Sequence, residues 1–266
     1  MPDSDAVVLL CSLSDLRNEQ DLRMIALLCS VPAEADRLLA STVVIKSTTL
    51  GSNLLIEGTI GAQRILLGVS GMGKVNAAHT ATLMLARFDP KALVVFGIGG
   101  SYPSSGARIG DLAIATEEIA GDEGVLTREG FKDTEFMGIP LLKTAQSLIY
   151  TTYPASEQLV QRSMQSLAVH QNPGWGKIHV GRFVTLSTCT GTATRAKELE
   201  ERYRGLCENM EGAAVAHVAE LHGVPWLEVR GISNMVEDRD LTTWDIPKAA
   251  GVVQQAVQHI VEGWDR

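Results

Sequence analysis

The chain has 266 residues, of which 45% are hydrophobic and 20% charged, with a formal net charge of −8. That length fits one large domain or two small ones with a sizeable core, and the acidic balance argues against a nucleic-acid partner. Cys11, Cys29, Cys189 and Cys207 form no CxxC pair and no Cys/His ligand spacing, so neither zinc nor a disulfide framework is indicated, and reduced thiols in a cytoplasmic protein are the expectation. The apolar run 6–10 follows Asp3 and Asp5 with no basic leader, unlike a signal peptide, and no run reaches membrane-spanning length.

Residues 1–22 are polar and without a clear face, so they are taken as an N-terminal extension, with the compact domain over 23–266. The run 24–29 is apolar throughout, as for a strand buried on both faces. Ser30-Val31-Pro32 then turns the chain and places Glu34 just past the strand's carboxyl end. The stretches 42–45, 54–60 and 64–69, punctuated by Gly51, Gly58 and Gly61, suggest a meander or hairpins. They lead into Ser70-Gly71-Met72-Gly73-Lys74, where two glycines before an Ala-rich helix can bring N–H groups to an anion or polar ligand. Gly68 and Gly73-Lys74 match most of a P-loop, but Val75 lacks the hydroxyl that would hold magnesium, which rejects an NTPase.

A helix over about 74–88 ends at Asp89-Pro90. The apolar strand 92–97 opens into Gly97-Ile98-Gly99-Gly100-Ser101, read as a second glycine-rich turn; the dinucleotide pattern fails because Tyr102 takes the third glycine's place. Residues 110–115 resume as a strand, and 122–136 read as a polar loop. Helical patterning covers 141–170, broken at Tyr153-Pro154, and a turn cluster surrounds Pro173. A strand over 177–187 precedes the small, hydroxyl-rich Thr188-Cys189-Thr190-Gly191-Thr192, then a charged helix over 193–203. At Glu208-Asn209-Met210-Glu211-Gly212 a strand runs into a helix ending near His222, with Glu211 at the junction. Its carboxylate either grips neighbouring hydroxyls, as on a ribose, or merely complements the helix dipole. The strand 226–232 discharges Ser233-Asn234, and a final amphipathic helix spans about 245–264. Strands alternating with helices predict a three-layer single α/β domain, a central mixed β-sheet flanked by helices.

Strand ends are where open α/β sheets bind ligands, and here they carry Glu34, Ser70-Gly71, Gly99-Gly100, Met210-Glu211 and Ser233-Asn234. Together the Ser-Gly-x-Gly-Lys turn, Met-Glu-Gly-Ala-Ala and Arg-Gly-Ile-Ser resemble the nucleoside phosphorylase and nucleosidase superfamily over residues 23–264. Ile232-Ser233-Asn234, followed by Arg239-Asp240 and Trp244-Asp245-Ile246, is most similar to its futalosine hydrolases. The resemblance implies a nucleoside phosphorylase-like fold and hydrolysis of the N-glycosidic bond of futalosine, a step of menaquinone biosynthesis that releases hypoxanthine. It implies that Glu34 polarises the water attacking C1′ and that Met210 and Glu211 hold the ribose. Ser70 and Gly71 would lie against the sugar and the developing charge, Thr190 and Gly191 would border the purine, and Asn234 would face the base, with Gly99 and Ser233 also counted as substrate-binding. Arg239 is the candidate for the benzoate arm of futalosine, with Arg128 and Lys132 behind it. A homo-oligomer, dimer or higher, is implied; metal, organic cofactor and membrane are not.

The identity of residue 234 has a chemical reading of its own. An adenine leaving group is served by a carboxylic acid that donates to N7 and accepts from the amino group. A 6-oxopurine offers two acceptors, O6 and N7, which an amide NH₂ can serve. Asn234 therefore favours hypoxanthine; its other reading is a turn-forming Asn after a strand. A methylthioadenosine/adenosylhomocysteine nucleosidase, which should carry aspartate there, a purine nucleoside phosphorylase and an inactive nucleoside-binding protein stand as alternatives.

Overall fold

The computed structural model describes residues 24–144, 147–169 and 174–265. The N-terminal extension 1–22 and Pro173 of the turn cluster lie outside the described residues. The strands in chain order are β1 (Ile25–Cys29), β2 (Val43–Leu50), β3 (Asn53–Ile60), β4 (Gln63–Val69), β5 (Ala92–Ser101) and β6 (Leu112–Ala120). The short β7 (Gly124–Thr127), β8 (Gly130–Asp133), β9 (Leu142–Lys143), β10 (Leu148–Ile149) and β11 (Thr152–Pro154) follow. Then come β12 (Ile178–Thr185), β13 (Cys207–Asn209) and β14 (Trp226–Met235).

Ten strands form one sheet in the order β11-β6-β12-β13-β5-β1-β4-β3-β2, and β14 pairs with both β5 and β6. Those pairings close a ring through β5, β14, β6, β12 and β13. The sheet is mixed: β1 runs parallel to β4 and β5, while β13 on β5 and β14 on β6 are antiparallel. Period-two alternation explains the layering. Ile25, Leu27 and Cys29 pack on one face with residues of the helices Glu157–Val169 and Ile246–Glu262. Met24, Ala26 and Leu28 pack on the other with residues of Lys74–Phe88 and Gly212–His222. An unbroken apolar run is what two buried faces require.

Three expectations are corrected. Among the described residues of 141–170, helix forms only over Glu157–Val169, because the chain before it pairs as β9, β10 and the edge strand β11; Pro154 is tolerated at that edge. The polar stretch 122–136 is the hairpin β7–β8 followed by a helical turn, not an open loop. Gly97 to Ser101 do not turn: β5 runs straight through them. Their missing Cβ atoms serve close packing instead, since a methyl on Gly99 would overlap Cys207 Sγ and one on Gly100 would crowd Val236 and Asn234.

Candidate active site

The ends of β1, β5, β13 and β14 enclose a cavity of about 260 Å³. Its wall includes Glu34, Gly99, Gly100, Thr190, Met210, Glu211, Ser233, Asn234 and Arg239 from the sequence reading. Ser70, Gly71 and Gly191 do not line it. The Ser70 hydroxyl lies 3.2 Å from Cys29 O and 2.7 Å from Gly71 O, and Met72 of the same turn reaches the cavity instead. Gly191 stands one residue behind the wall, accepting from the Arg239 N–H at 3.2 Å. Arg128 and Lys132 are on the β7–β8 hairpin and its turn, away from the wall, with Lys132 Nζ 5.8 Å from the Phe136 ring.

Glu34 closes a single 3₁₀ turn after β1 and is 3% exposed. Its Oε2 accepts from Ser30 N at 2.9 Å and Val31 N at 3.1 Å, and its Oε1 from Ile98 N at 2.8 Å. Three N–H donors fix the orientation of its carboxyl group. Gly97 makes room for it, because a methyl there would overlap Glu34 Oε1.

Glu211 stands at the N-terminus of the helix Gly212–His222 but does not cap it. Asn209 does, its Oδ1 accepting from Glu211 N at 2.9 Å and Gly212 N at 2.7 Å. That frees the Glu211 carboxylate to reach the cavity, where Oε1 accepts from Gly73 N at 2.9 Å. The anion met by the glycine-rich turn is thus the chain's own carboxylate.

Arg230, missed in the sequence reading as a site residue, connects these groups. It is 1% exposed and lines the cavity. Its Nε donates to Glu228 Oε1 at 2.8 Å, its Nη1 to Ile98 O at 3.1 Å, and its Nη2 lies 3.5 Å from Glu211 Oε2. Burial works against its charge but is outweighed by Glu228, Glu211 and Glu34, which hold its pKa above the ordinary guanidinium value. The signal was present: Glu228 and Arg230 are two apart in an apolar strand and so share one face.

Glu208, also omitted, lines the cavity beside the 188–192 segment. Its Oε1 accepts from Thr190 N at 2.8 Å, and its Oε2 from Thr190 Oγ1 at 2.6 Å and Tyr102 OH at 3.1 Å. Burial raises its pKa despite those donors.

Asn234 sits past an irregularity in β14 between Ile232 and Asn234, of the kind that re-aims side chains near sites. Its Oδ1 accepts from Ser233 Oγ at 2.8 Å, and its Nδ2 donates to Met235 O at 3.0 Å. The amide so placed keeps one N–H and one oxygen lone pair for a ligand. Arg239 stacks on Trp244, 4.7 Å from the ring centroid, and both line the cavity. Among the described residues no group of His, Cys, Asp and Glu could hold a metal, and no helix is long and apolar enough to cross a membrane.

The sequence profile of the phosphorylase superfamily matches residues 24–263. The chain is 35% identical over 180 residues, 66% of its length and 68% of the relative's, to a futalosine hydrolase of Streptomyces coelicolor. It is 28% identical over 218 residues, 79% of its length and 85% of the relative's, to a 5′-methylthioadenosine/S-adenosylhomocysteine nucleosidase of Mycobacterium bovis. In fold it matches such a nucleosidase from Neisseria meningitidis, solved with methylthio-immucillin-A, at a TM-score of 0.78 and 20% identity over 91% of this chain and 99% of that one.

Proposed function

We propose that this chain, which belongs to the phosphorylase superfamily, is a nucleoside N-glycosyl hydrolase that cleaves futalosine to hypoxanthine and dehypoxanthinyl futalosine. Breaking the bond from C1′ to the purine leaves positive charge on the sugar and negative charge on the base. Groups placed where charge develops supply most of the acceleration in such sites. Glu34, fixed by its N–H donors, takes a proton from the water that adds to C1′. Glu211 accepts hydrogen bonds from the ribose hydroxyls, and its negative charge favours the cationic sugar. The N–H of Asn234 serves the oxygen or N7 of the departing base.

The observation that carries the substrate class is an amide, not a carboxyl group, at position 234 in the cavity wall. Its free N–H offers the base a donor, which suits the O6 or N7 of a 6-oxopurine. The futalosine hydrolase relatives agree with that reading. The methylthioadenosine nucleosidase relatives cover more of the chain, but an amide has no acidic proton to give to N7 of a departing adenine. Phosphorolysis is disfavoured because Glu34, Glu208 and Glu211 face the same cavity, and carboxylates repel an incoming phosphate.

Exchanging the amide for a carboxyl tests the base-reading argument. Glycosidic cleavage of futalosine and methylthioadenosine by Asn234→Asp should show kcat/KM falling on the former by about 10–100-fold and rising on the latter. An unchanged ratio between the two substrates would remove Asn234 from base selection.

A further inference from the structure

Behind the cavity, between β6, β14 and the helix Gly212–His222, lies a second pair of carboxyl groups that the reaction above does not touch. Glu118 on β6 and Glu228 on β14 are both fully buried. Their carboxyls converge over the bare Cα of Gly212, where a methyl would overlap Glu118 Oε1 and Glu228 Oε2 alike. Glu228 Oε1 is bound by Arg230 Nε, but among the described residues no donor reaches Glu228 Oε2. An orphaned carboxylate oxygen in a dry interior is strongly unfavourable. Glu118 accepts from Thr185 Oγ1 at 2.7 Å on Oε2 and from Asn209 Nδ2 on Oε1. The other titratable or charged groups facing it are Glu228 and Arg230 from β14 and Cys207 from β13.

Arg230 is the one cation of this group, and Glu228, Glu211 and Glu34 already surround it. A fourth ionised carboxylate would have no partner. Two carboxyl groups this close in low dielectric cannot both ionise. Burial first, and then the charge of Glu228, raise the Glu118 pKa well above the usual carboxylate range. A proton on Glu118 gives Glu228 Oε2 the donor it lacks.

We propose that Glu118 carries a proton and donates it to Glu228 Oε2, forming a positioning pair that fixes Arg230 and, through it, Glu211. A second route reaches the same carboxylate: Asn209 donates to Glu118 while accepting from the N–H groups of Glu211 and Gly212. The effect on turnover rests on the hydrolase reading; the protonation does not.

The test is thermal denaturation of the wild type and Glu118→Gln from about pH 5 to about pH 9, with nucleoside hydrolysis by Glu118→Gln and Glu118→Ala. A buried acid with a raised pKa contributes stability below the ordinary carboxylate range and loses it as pH rises through the raised value. The amide does not titrate, so the Tm of Glu118→Gln relative to wild type should climb with pH. An infrared carbonyl band of a protonated acid, present in the wild type, should vanish in the variant. Glu118→Ala should lose about tenfold or more in kcat/KM, and Glu118→Gln, which restores a donor to Glu228, should recover most of it. Stability curves that run parallel across the range, or a wild type without the band, overturn the proton pair whatever the activity. An amide nitrogen at this place would meet Asn209 Nδ2, so if Glu118→Gln does not fold the wild-type carbonyl band decides alone: its presence supports the proton pair and its absence overturns it. Wild type inactive on every nucleoside, with the stability and infrared results as expected, would sink the hydrolase reading alone.

Discussion

In the proposed reaction a carboxylate and an amide do the chemical work, and each is set by what its other atoms are bound to. Glu34 has its orientation fixed by three backbone N–H groups. Glu34→Gln should lower kcat by about 10²–10⁴-fold, because the amide is no base. The variant should also denature at a lower temperature, since an NH₂ would then face N–H donors. Steady-state hydrolysis and a melting curve check both; a variant within threefold of wild type would remove Glu34 from proton transfer. Arg239 is argued from its place in the cavity wall against Trp244. Arg239→Ala should raise KM for futalosine by about tenfold or more, the loss of a charge-assisted hydrogen bond, and leave KM for inosine, which lacks the carboxylate, less affected. Equal changes for both nucleosides would detach Arg239 from the benzoate arm. The gathering of Glu34, Glu211 and Asn234 at one cavity was legible because each follows a predicted strand end, where such sheets open their clefts. Arg230 was not, since a charge inside an apolar strand suggests a site only when its partners on other strands are known.

The elements that carry these groups are shaped by what they leave out. Gly97 lies within β5, beside Glu34 and Arg230. Gly97→Ala should cost about 1–3 kcal/mol of stability through overpacking, and it should cost activity out of proportion by displacing Glu34. Denaturant unfolding and kcat/KM on one preparation check this; full activity would show that Glu34 has slack. The positions of the long strands along the chain followed from apolar runs and periodicity. The reach of β5 past its predicted end did not follow, because glycines signal turns unless a neighbouring strand packs on the bare Cα, and that of β14 did not because Ser233-Asn234 reads as a turn. The same limit applies to the glycine turn at 70–73. Its N–H groups were visible as anion donors, but the anion proved to be Glu211, 138 residues away.

Across the whole molecule, buried and paired acids set the pH range in which this sheet is stable. Lys74 binds both Asp122 and Glu123, and Asp122 also accepts from Ser187 N. Burial would raise the Asp122 pKa, but those donors outweigh it and hold the pKa below the usual carboxylate value. Its contribution is therefore present above the unfolded-state pKa and lost as pH falls through the depressed one. Glu208 has a raised pKa and runs the other way: its contribution is present at low pH and lost as pH rises through the raised value. The acid limb of wild-type stability should flatten in Asp122→Asn, with the limb above neutrality unchanged. Melting temperatures across the pH range check it, and an unchanged acid limb would contradict it. The three layers were legible in the sequence because alternation within a buried strand predicts both faces. The ring closed by β14 was not, because one strand pairing with two others leaves no local mark.

The central claim is that this site hydrolyses a 6-oxopurine nucleoside with a carboxylated 5′ arm. It is tested most directly by offering the purified protein futalosine, inosine and methylthioadenosine in phosphate-free buffer and separating the products by chromatography. The account predicts hypoxanthine from futalosine, little or none from inosine, and no adenine. Adenine from methylthioadenosine would contradict the reading of Asn234, and turnover that appears only when phosphate is added would contradict hydrolysis itself.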